Sequence, residues 1–252
     1  MNKKKIMFLV ILSIVVSTFI YFIYNMSYKE EFNYVALGDS LAAGRNPYGI
    51  DDYGYTDYVK DYLKNKDKLA SFVSYAQSGY TIEDIFNDIN LNKSVIIDNK
   101  HIGIKKALRE SDIVTLSIGA NDLLKQINLM DLSKTLGDEG RIKNYIDDIL
   151  IKANSLLKSI KQYAKGKIIV VGYYNPVPQL EDYKKDIDNI ISYIDKEYQK
   201  ICKSNDIYYV QISKHIANNS EYLPNPLDIH PSKKGYKIIS EVIISLINKE
   251  FF

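Results

Sequence analysis

The sequence predicts an α/β fold, because short apolar runs alternate along the chain with segments whose apolar residues recur at helical spacing. The runs are five to eight residues long and apolar almost throughout, as in parallel strands covered on both faces. The chain has 252 residues, of which 46% are hydrophobic, enough for one domain with a large core. We therefore expect a three-layer α/β/α sandwich with a doubly wound, mainly parallel five-stranded sheet of the flavodoxin-like type, preceded by one N-terminal transmembrane helix.

The elements of this fold follow in order along the chain. The predicted strands are residues 33–37, 69–76, 112–119, 167–173 and 207–212. The predicted helices are residues 55–65, 81–89, 142–163 and 184–203, with a last one that starts near Ser232. Thr81 is the expected N-cap of the second of these helices.

A long apolar segment follows three lysines near the start of the chain. Residues 6–24 carry no charge, and as a helix they would span about 28 Å, close to the thickness of the hydrocarbon core of a bilayer. Lys3, Lys4 and Lys5 favour a cytoplasmic N-terminus. We therefore predict a single-pass protein of the cell membrane, held through residues 6–24, whose main domain lies outside the cell.

This segment divides the chain into residues 1–27, a membrane anchor or uncleaved signal, and residues 28–252, the main domain. Secretion after signal cleavage is the alternative, since residues 15–17 resemble a weak cleavage site. The apolar run continues beyond that site through residues 19–23, which favours the anchor.

Charge and cysteine content exclude several classes of function. The formal net charge is +2, and without Lys3, Lys4 and Lys5 there are 30 basic against 31 acidic residues, so no nucleic-acid partner is expected. The single cysteine, Cys202, lies in an apolar helical stripe and is interpreted as a core residue. No side-chain cluster has metal-ligand spacing, so we expect neither a metal nor a cofactor.

Ser40 is the candidate nucleophile. It follows the first predicted strand in the stretch Gly38-Asp39-Ser40, and ligands of doubly wound sheets bind at the carboxyl ends of the strands. A turn is the alternative interpretation, because Gly, Asp and Ser are common turn residues. Asn121 follows another predicted strand and is expected at the same edge of the sheet.

A serine hydroxyl needs a base to take its proton, and the chain has three histidines. His101 lies in a mainly polar stretch and His215 in a polar loop, so both are interpreted as structural or surface residues. His230 lies in a loop with a nearby acid, Asp228, directly before the last helix. This combination makes His230 the best candidate for the base.

Four short motifs occur in an order that resembles the SGNH/GDSL hydrolases, a family of esterases and lipases. They are GDSL at 38–41, SG at 78–79, GAND at 119–122 and DIHP at 228–231. The resemblance covers essentially the whole chain from about residue 33. One tetrapeptide is weak support, whereas four motifs in order, the first after a buried strand, are strong support.

The resemblance implies a role for each motif. Ser40 would be the nucleophile, His230 the general base and Asp228 the acid that orients it. The backbone N–H groups of Ser40 and Gly79 and the side-chain amide of Asn121 would form the oxyanion hole. Glycine lets a backbone N–H approach a substrate, and asparagine supplies a neutral donor.

The acid motif departs from the family pattern. The family places the acid three residues before the histidine, where this chain has Leu227. Asp228 is only two residues before His230, so either its carboxylate or a backbone carbonyl orients the imidazole. We expect Asp39, next to the nucleophile, to hold the loop by hydrogen bonds and to take no part in the chemistry.

The predicted reaction is the hydrolysis of carboxylic esters, and the predicted partner is a small-molecule, lipid or glycan ester. Residues 122–136 carry seven apolar side chains that would form a wall or flap for a fatty acyl chain, or else pack on the sheet. Tyrosines in residues 45–58 and 173–178 would line a lipid groove or stack on sugars. An esterase of lipase or lysophospholipase type is the first hypothesis. A carbohydrate O-acetylesterase acting on cell-wall glycans is the alternative, and a non-catalytic surface binding domain is the third.

Overall fold

The computed structural model describes residues 3–27, 31–126, 139–217 and 219–251. The strands are β1 (Phe32–Gly38), β2 (Leu69–Ser74), β3 (Ser94–Ile97), β4 (Lys100–Gly103), β5 (Ile113–Ser117), β6 (Lys167–Val171) and β7 (Tyr208–Val210). The helices are α1 (Lys3–Ser27), α2 (Ser40–Ala43), α3 (Tyr55–Asn65), α4 (Ile82–Asn90), α5 (Ile104–Glu110), α6 (Ala120–Leu124), α7 (Glu139–Tyr163), α8 (Glu181–Ser204), α9 (Ser213–Ile216) and α10 (Lys233–Phe251).

The main sheet has five strands in the order β2-β1-β5-β6-β7, and all four neighbouring pairs are parallel. Val35 of β1 pairs with Val73 of β2 on one side and with Val114 of β5 on the other. The chain leaves β1 in one direction to reach β2 and then crosses to β5 on the other side. The strand order therefore reverses beside β1, which is where doubly wound sheets bind their ligands. The predicted sheet is confirmed.

Helices cover both faces of this sheet because the β1 side chains alternate between two cores. Val35 and Leu37 pack with residues of α4, α5, α7 and α8. Tyr34 and Ala36 pack with residues of α3 and α10 on the opposite face. This alternation is the period-two pattern of a strand, and it produces the predicted three layers. Cys202 of α8 is 1% exposed, as the apolar stripe predicts.

One part of the fold is absent from the sequence-based prediction. Strands β3 and β4 form an antiparallel hairpin, and helix α5 follows it directly. Asp98 and Asn99 at the turn both have positive φ angles, +49° and +59°, a conformation that Asp and Asn tolerate and that favours tight hairpins. Four-residue strands are too short for a clear alternation of apolar and polar residues, so the pattern does not reveal them.

The N-terminal segment forms helix α1, and its apolar side chains from Ile6 to Tyr21 that the structure describes are largely exposed. Within residues 3–27, 31–126, 139–217 and 219–251, no helix combines the length and the apolarity that crossing a membrane requires. The structure thus does not support the predicted transmembrane helix.

Candidate active site

The end of β1 is shaped to present Ser40. Gly38 has φ +141°, and a Cβ atom there would lie 2.4 Å from the backbone oxygen of Ser117 on β5, so only glycine fits. The Asp39 N–H donates to the same oxygen at 3.0 Å. This close contact between two neighbouring strands ends β1 abruptly, and Ser40 becomes the first residue of α2.

Asp39 holds this turn through its side chain, as predicted. Its Oδ1 accepts hydrogen bonds from the Leu41 N–H at 3.0 Å and from the Ser117 hydroxyl at 2.9 Å. Burial raises the pKa of Asp39 to about 6, against the hydrogen bonds from Ser117 and Leu41, which lower it. Asp39 is only 4% exposed, and the hydrogen bonds of its carboxyl group go to Leu41 and Ser117. It therefore serves as the N-cap of α2.

Three predicted site residues lie in hydrogen-bond contact. Ser40 Oγ is 2.8 Å from His230 Nε2, and His230 Nδ1 is 2.6 Å from Asp228 Oδ1. The His230 side chain is 12% exposed and that of Asp228 25%, so bulk water has limited access to the pair. In this geometry Nε2 can accept the serine proton, while Asp228 holds the imidazole in the required tautomer and stabilises its charged form.

Asp228 reaches the histidine although it is only two residues away. The same Oδ1 accepts a hydrogen bond from the His230 N–H at 2.8 Å, which folds the carboxylate back over the loop towards Nδ1. Leu227, at the position where the family pattern has its acid, is 94% exposed. The carboxylate of Asp228 is thus the group that faces Nδ1.

Gly79 lies in the loop after β2 and Asn121 in the first turn of α6, which follows β5, so the two residues lie on the two sides of β1. Gly79 has φ +87°, and apart from its two chain neighbours no described residue has an atom within 4 Å of the position that a Cβ would occupy, so the backbone there faces open space. The Asn121 amide nitrogen donates to the Tyr80 oxygen at 2.8 Å, and the Gln77 N–H donates to the Gly38 oxygen at 3.0 Å. These bonds join the loop that carries Gly79 to the end of β1, next to Ser40, and to Asn121 of α6.

An apolar cavity of about 140 Å³ opens beside Ser40 and His230. Its described wall includes Leu123, Leu124, Val177, Ile187, Ile190 and Ile191, with Tyr173 and Tyr174 at the end of β6. Leu123 and Leu124 belong to the predicted apolar segment 122–136. The other apolar residues of that segment, Ile127, Leu129, Met130, Leu132 and Leu136, lie outside the described residues.

The remaining histidines and the cysteine lie away from this cavity. His101 is exposed on β4 and His215 is exposed on α9. Burial raises the pKa of the Cys202 thiol to about 12, so the thiolate that a nucleophile requires is scarce at neutral pH. These positions agree with the structural interpretation of all three residues.

Sequence reasoning missed residues that shape the site from a distance. Ser117 bonds the Asp39 carboxyl, and the Tyr174 hydroxyl donates to the Ile229 oxygen at 2.7 Å, directly before His230. Ser117 is one of several small polar residues near strand ends, so nothing singles it out. The tyrosine pair at 173–174 is visible in the sequence, but only as a possible surface for substrate.

Comparisons with known proteins agree with this fold. The profile of the GDSL-like lipase/acylhydrolase family matches residues 36–238. An uncharacterized Bacillus subtilis protein, YpmR, is 23% identical over 227 residues, which are 88% of this chain and 84% of that protein.

Two solved structures are similar at lower identity. The lipase Lip_vut3 from a goat rumen metagenome is 21% identical, with a TM-score of 0.67 over 84% of this chain and 95% of that one. A catalytic mutant of Axe2, an acetylxylan esterase from Geobacillus stearothermophilus, is 18% identical, with a TM-score of 0.60 over 85% and 93% of the two chains. These likenesses show a shared fold. Since the family profile spans most of the sequence, this chain belongs to the GDSL-like lipase/acylhydrolase family and is a carboxylic ester hydrolase.

Proposed function

We propose that this chain is a serine esterase of lipase or lysophospholipase type, which hydrolyses carboxylic esters that carry an apolar acyl chain. One observation carries the proposal. The hydrogen-bonded series Ser40–His230–Asp228 borders an apolar cavity that is large enough to accept part of an acyl chain.

The reaction would proceed through an acyl-enzyme. Ser40 Oγ attacks the ester carbonyl carbon while His230 Nε2 takes its proton. The tetrahedral intermediate collapses, the C–O bond to the alcohol breaks, and the imidazolium returns the proton to the leaving oxygen. A water molecule, deprotonated by His230, then attacks the acyl carbon. The bond between that carbon and Ser40 Oγ breaks, the imidazolium returns its proton to Oγ, and the acid leaves.

The oxyanion of each tetrahedral intermediate needs fixed donors. The N–H groups of Ser40 and Gly79 and the Asn121 amide would supply them, because hydrogen bonds hold the three segments that carry these groups together. Asn121 Nδ2 has two hydrogens, and the bond to the Tyr80 oxygen uses one of them. The second hydrogen is available for substrate. Loss of one such donor typically lowers kcat about 10²- to 10³-fold.

The lining of the cavity favours an apolar acyl group over acetate. The isoleucines of α8 and the leucines of α6 offer no hydrogen bond to a polar substrate, whereas each methylene that they cover contributes about 0.8 kcal/mol. Carbohydrate O-acetylesterase activity is the second candidate. It is favoured by Tyr48, which is 79% exposed on the loop after α2, and by the similarity to an acetylxylan esterase.

Membrane attachment and an outward-facing domain remain predictions from Lys3, Lys4 and Lys5 and the apolar run of residues 6–24. Fractionation of cells that produce the full chain tests the attachment. Protease treatment of intact cells tests the orientation. Full recovery in the cytosolic fraction would contradict both predictions.

The function is tested with p-nitrophenyl esters from acetate to palmitate, combined with labelling by an alkyl fluorophosphonate and peptide mass spectrometry. We expect the label on Ser40 and a kcat/KM that rises from acetate to a longer chain. Hydrolysis of acetate alone would favour the O-acetylesterase. Label on another residue, with hydrolysis unchanged, would contradict the Ser40 mechanism.

A further inference from the structure

We propose that Tyr173 and Tyr174 are positioning residues of the active site. Tyr173 holds the turn before Asn121, and Tyr174 holds the loop before His230. The proposal rests on the proposed function, since it assigns Asn121 and His230 their roles. Neither tyrosine hydroxyl touches the reacting groups, so both act through the backbone.

Tyr173 fixes the turn that leads from β5 to Asn121. Its hydroxyl donates to the Ile118 oxygen at 2.6 Å. Gly119 follows with φ +102°, and a Cβ atom there would lie 2.4 Å from the Tyr173 oxygen. The hydroxyl therefore occupies the space that a side chain at 119 would need, and it anchors the backbone at Ile118, three residues before Asn121.

Tyr174 fixes the loop that carries the base. Its hydroxyl donates to the Ile229 oxygen at 2.7 Å, and this peptide group is the one directly before His230. The contact joins residues 55 positions apart in the chain, so the loop after β6 supports the loop before α10. The bond limits rotation of the peptide unit from which the imidazole projects.

The two tyrosines reach different motifs because they are consecutive. Successive side chains at the end of a strand point to opposite faces of the sheet. Tyr173 accordingly packs against the core that contains Ile118, and Tyr174 packs against the core that contains Tyr236. Two consecutive residues just after β6 thus hold both the turn before Asn121 and the loop before His230.

The hydroxyl groups of Tyr173 and Tyr174 keep their protons and so remain hydrogen-bond donors. Burial raises the pKa of Tyr173 and of Tyr174, so neither ionises in the range where a histidine base works. Each donates to a backbone carbonyl, which accepts hydrogen bonds only, and the geometry is therefore independent of pH in that range.

The test removes only the hydroxyls. Tyr173→Phe and Tyr174→Phe keep the rings that line the cavity, so KM for a p-nitrophenyl ester should change less than about twofold. We expect kcat to fall about tenfold in each variant, since small displacements of catalytic groups have effects of this order or larger. An unchanged kcat in both variants would overturn the proposal.

Tyr75→Phe is the matched control. The Tyr75 hydroxyl also donates to a backbone carbonyl, that of Ile102 at 2.8 Å, but on the β3–β4 hairpin. Its removal should lower the melting temperature as much as the other two substitutions do and leave kcat unchanged. If Tyr75→Phe lowered kcat equally, loss of stability would explain all three results, and the positioning roles would be wrong.

A double-mutant cycle tests which group Tyr173 positions. In an Asn121→Ala background, Tyr173→Phe should lower kcat less than twofold, because the amide that it positions is gone. Tyr174→Phe should still lower kcat about tenfold in that background, since it acts on His230. A full tenfold effect of Tyr173→Phe there would show that it does not act through Asn121.

A spectroscopic measurement separates this proposal from the proposed function. We expect the downfield Nδ1 proton resonance of His230 to shift or broaden in Tyr174→Phe and the Asn121 side-chain amide resonances to shift in Tyr173→Phe, with neither change in Tyr75→Phe. A wild-type chain without ester hydrolysis would refute the function, and the spectra would still decide the positioning. Unchanged spectra in both variants would overturn the positioning in either case.

Discussion

Two strands of the main sheet, β1 and β7, are each followed by a short helix that begins with a serine, but the surroundings of the two serines differ. β1 leads into α2 and β7 leads into α9, and both of these four-residue helices begin with a serine, Ser40 and Ser213. β1 lies beside the reversal of strand order, with neighbours on both sides, whereas β7 is an edge strand.

The two serines meet different partners. Ser40 Oγ is 2.8 Å from His230 Nε2. Ser213 Oγ donates at 2.9 Å to the buried carboxylate of Asp195, which also accepts from Tyr209 and from Gln211. That carboxylate is held by three donors and stabilises the fold. A serine after a parallel strand is therefore a candidate nucleophile only where the tertiary structure places a histidine beside it.

The sharpest test of this comparison is to remove each hydroxyl. Ser40→Ala should lower kcat/KM for p-nitrophenyl butyrate by at least about 10³-fold, because the nucleophile is lost. Ser213→Ala should leave kcat/KM within twofold and lower the free energy of unfolding by about 1 kcal/mol, the typical contribution of one hydrogen bond. Rates and urea unfolding measure both. An equal loss of activity in the two variants would contradict the distinction.

The next largest effect is expected at Asp228, the carboxylate that contacts His230. Asp228→Asn should lower kcat about 10²-fold or more, because the amide no longer holds the imidazole in its catalytic tautomer. Adding Leu227→Asp to that variant restores the family spacing in the sequence. We expect no recovery of kcat, since the side chain at position 227 is exposed to solvent. Recovery would show that the loop can present its acid from either position.

Asp39 supports α2 as Asp195 supports α9. Because the pKa of Asp39 is about 6, its contribution to stability depends on pH. Between about pH 4 and pH 6 the folded chain holds a proton on Asp39 that the unfolded chain has lost, so stability falls as pH rises. The full change is roughly 3 kcal/mol. Relative to Asp39→Asn, the wild type should therefore lose about that much between pH 4 and pH 7 in urea unfolding.

Asp84→Asn is the control, because we expect the contribution of Asp84 to stability to change with pH in the opposite direction. A hydrogen bond from Thr81 lowers the pKa of Asp84, so its contribution is present above the ordinary pKa of an aspartate and is lost as pH falls. The wild type should therefore gain stability over Asp84→Asn as pH rises. A difference between wild type and Asp39→Asn that stays constant with pH would contradict the assignment for Asp39.

The smallest expected effect concerns the apolar cavity beside Ser40. Ile190 lines this cavity and also a groove on its other side, next to Ile142, Ile146 and Tyr193. Ile190→Ala should join the two spaces and raise kcat/KM for laurate over butyrate esters a few-fold. Ile151→Ala, a change on the exposed face of α7, is the control. An unchanged chain-length profile would show that acyl groups do not reach Ile190.

Much of this architecture could be read from local patterns. The five parallel strands were predictable because strands buried on both faces are apolar along their whole length. The position of Ser40 was predictable because parallel strands place their carboxyl ends at one edge. The β3–β4 hairpin was not, because its strands are too short for a periodic signal.

The sequence by itself determined the fold class, the motif order and the identity of the candidate groups, because periodicity and short motifs are local properties of the chain. Only the tertiary structure decided which side chains and backbone groups these candidate groups contact. It placed His230, 190 residues from Ser40, at hydrogen-bond distance, turned the Asp228 carboxylate to Nδ1, and braced both loops with Tyr173 and Tyr174. Contacts between residues so far apart depend on how the layers pack, and no local pattern encodes them.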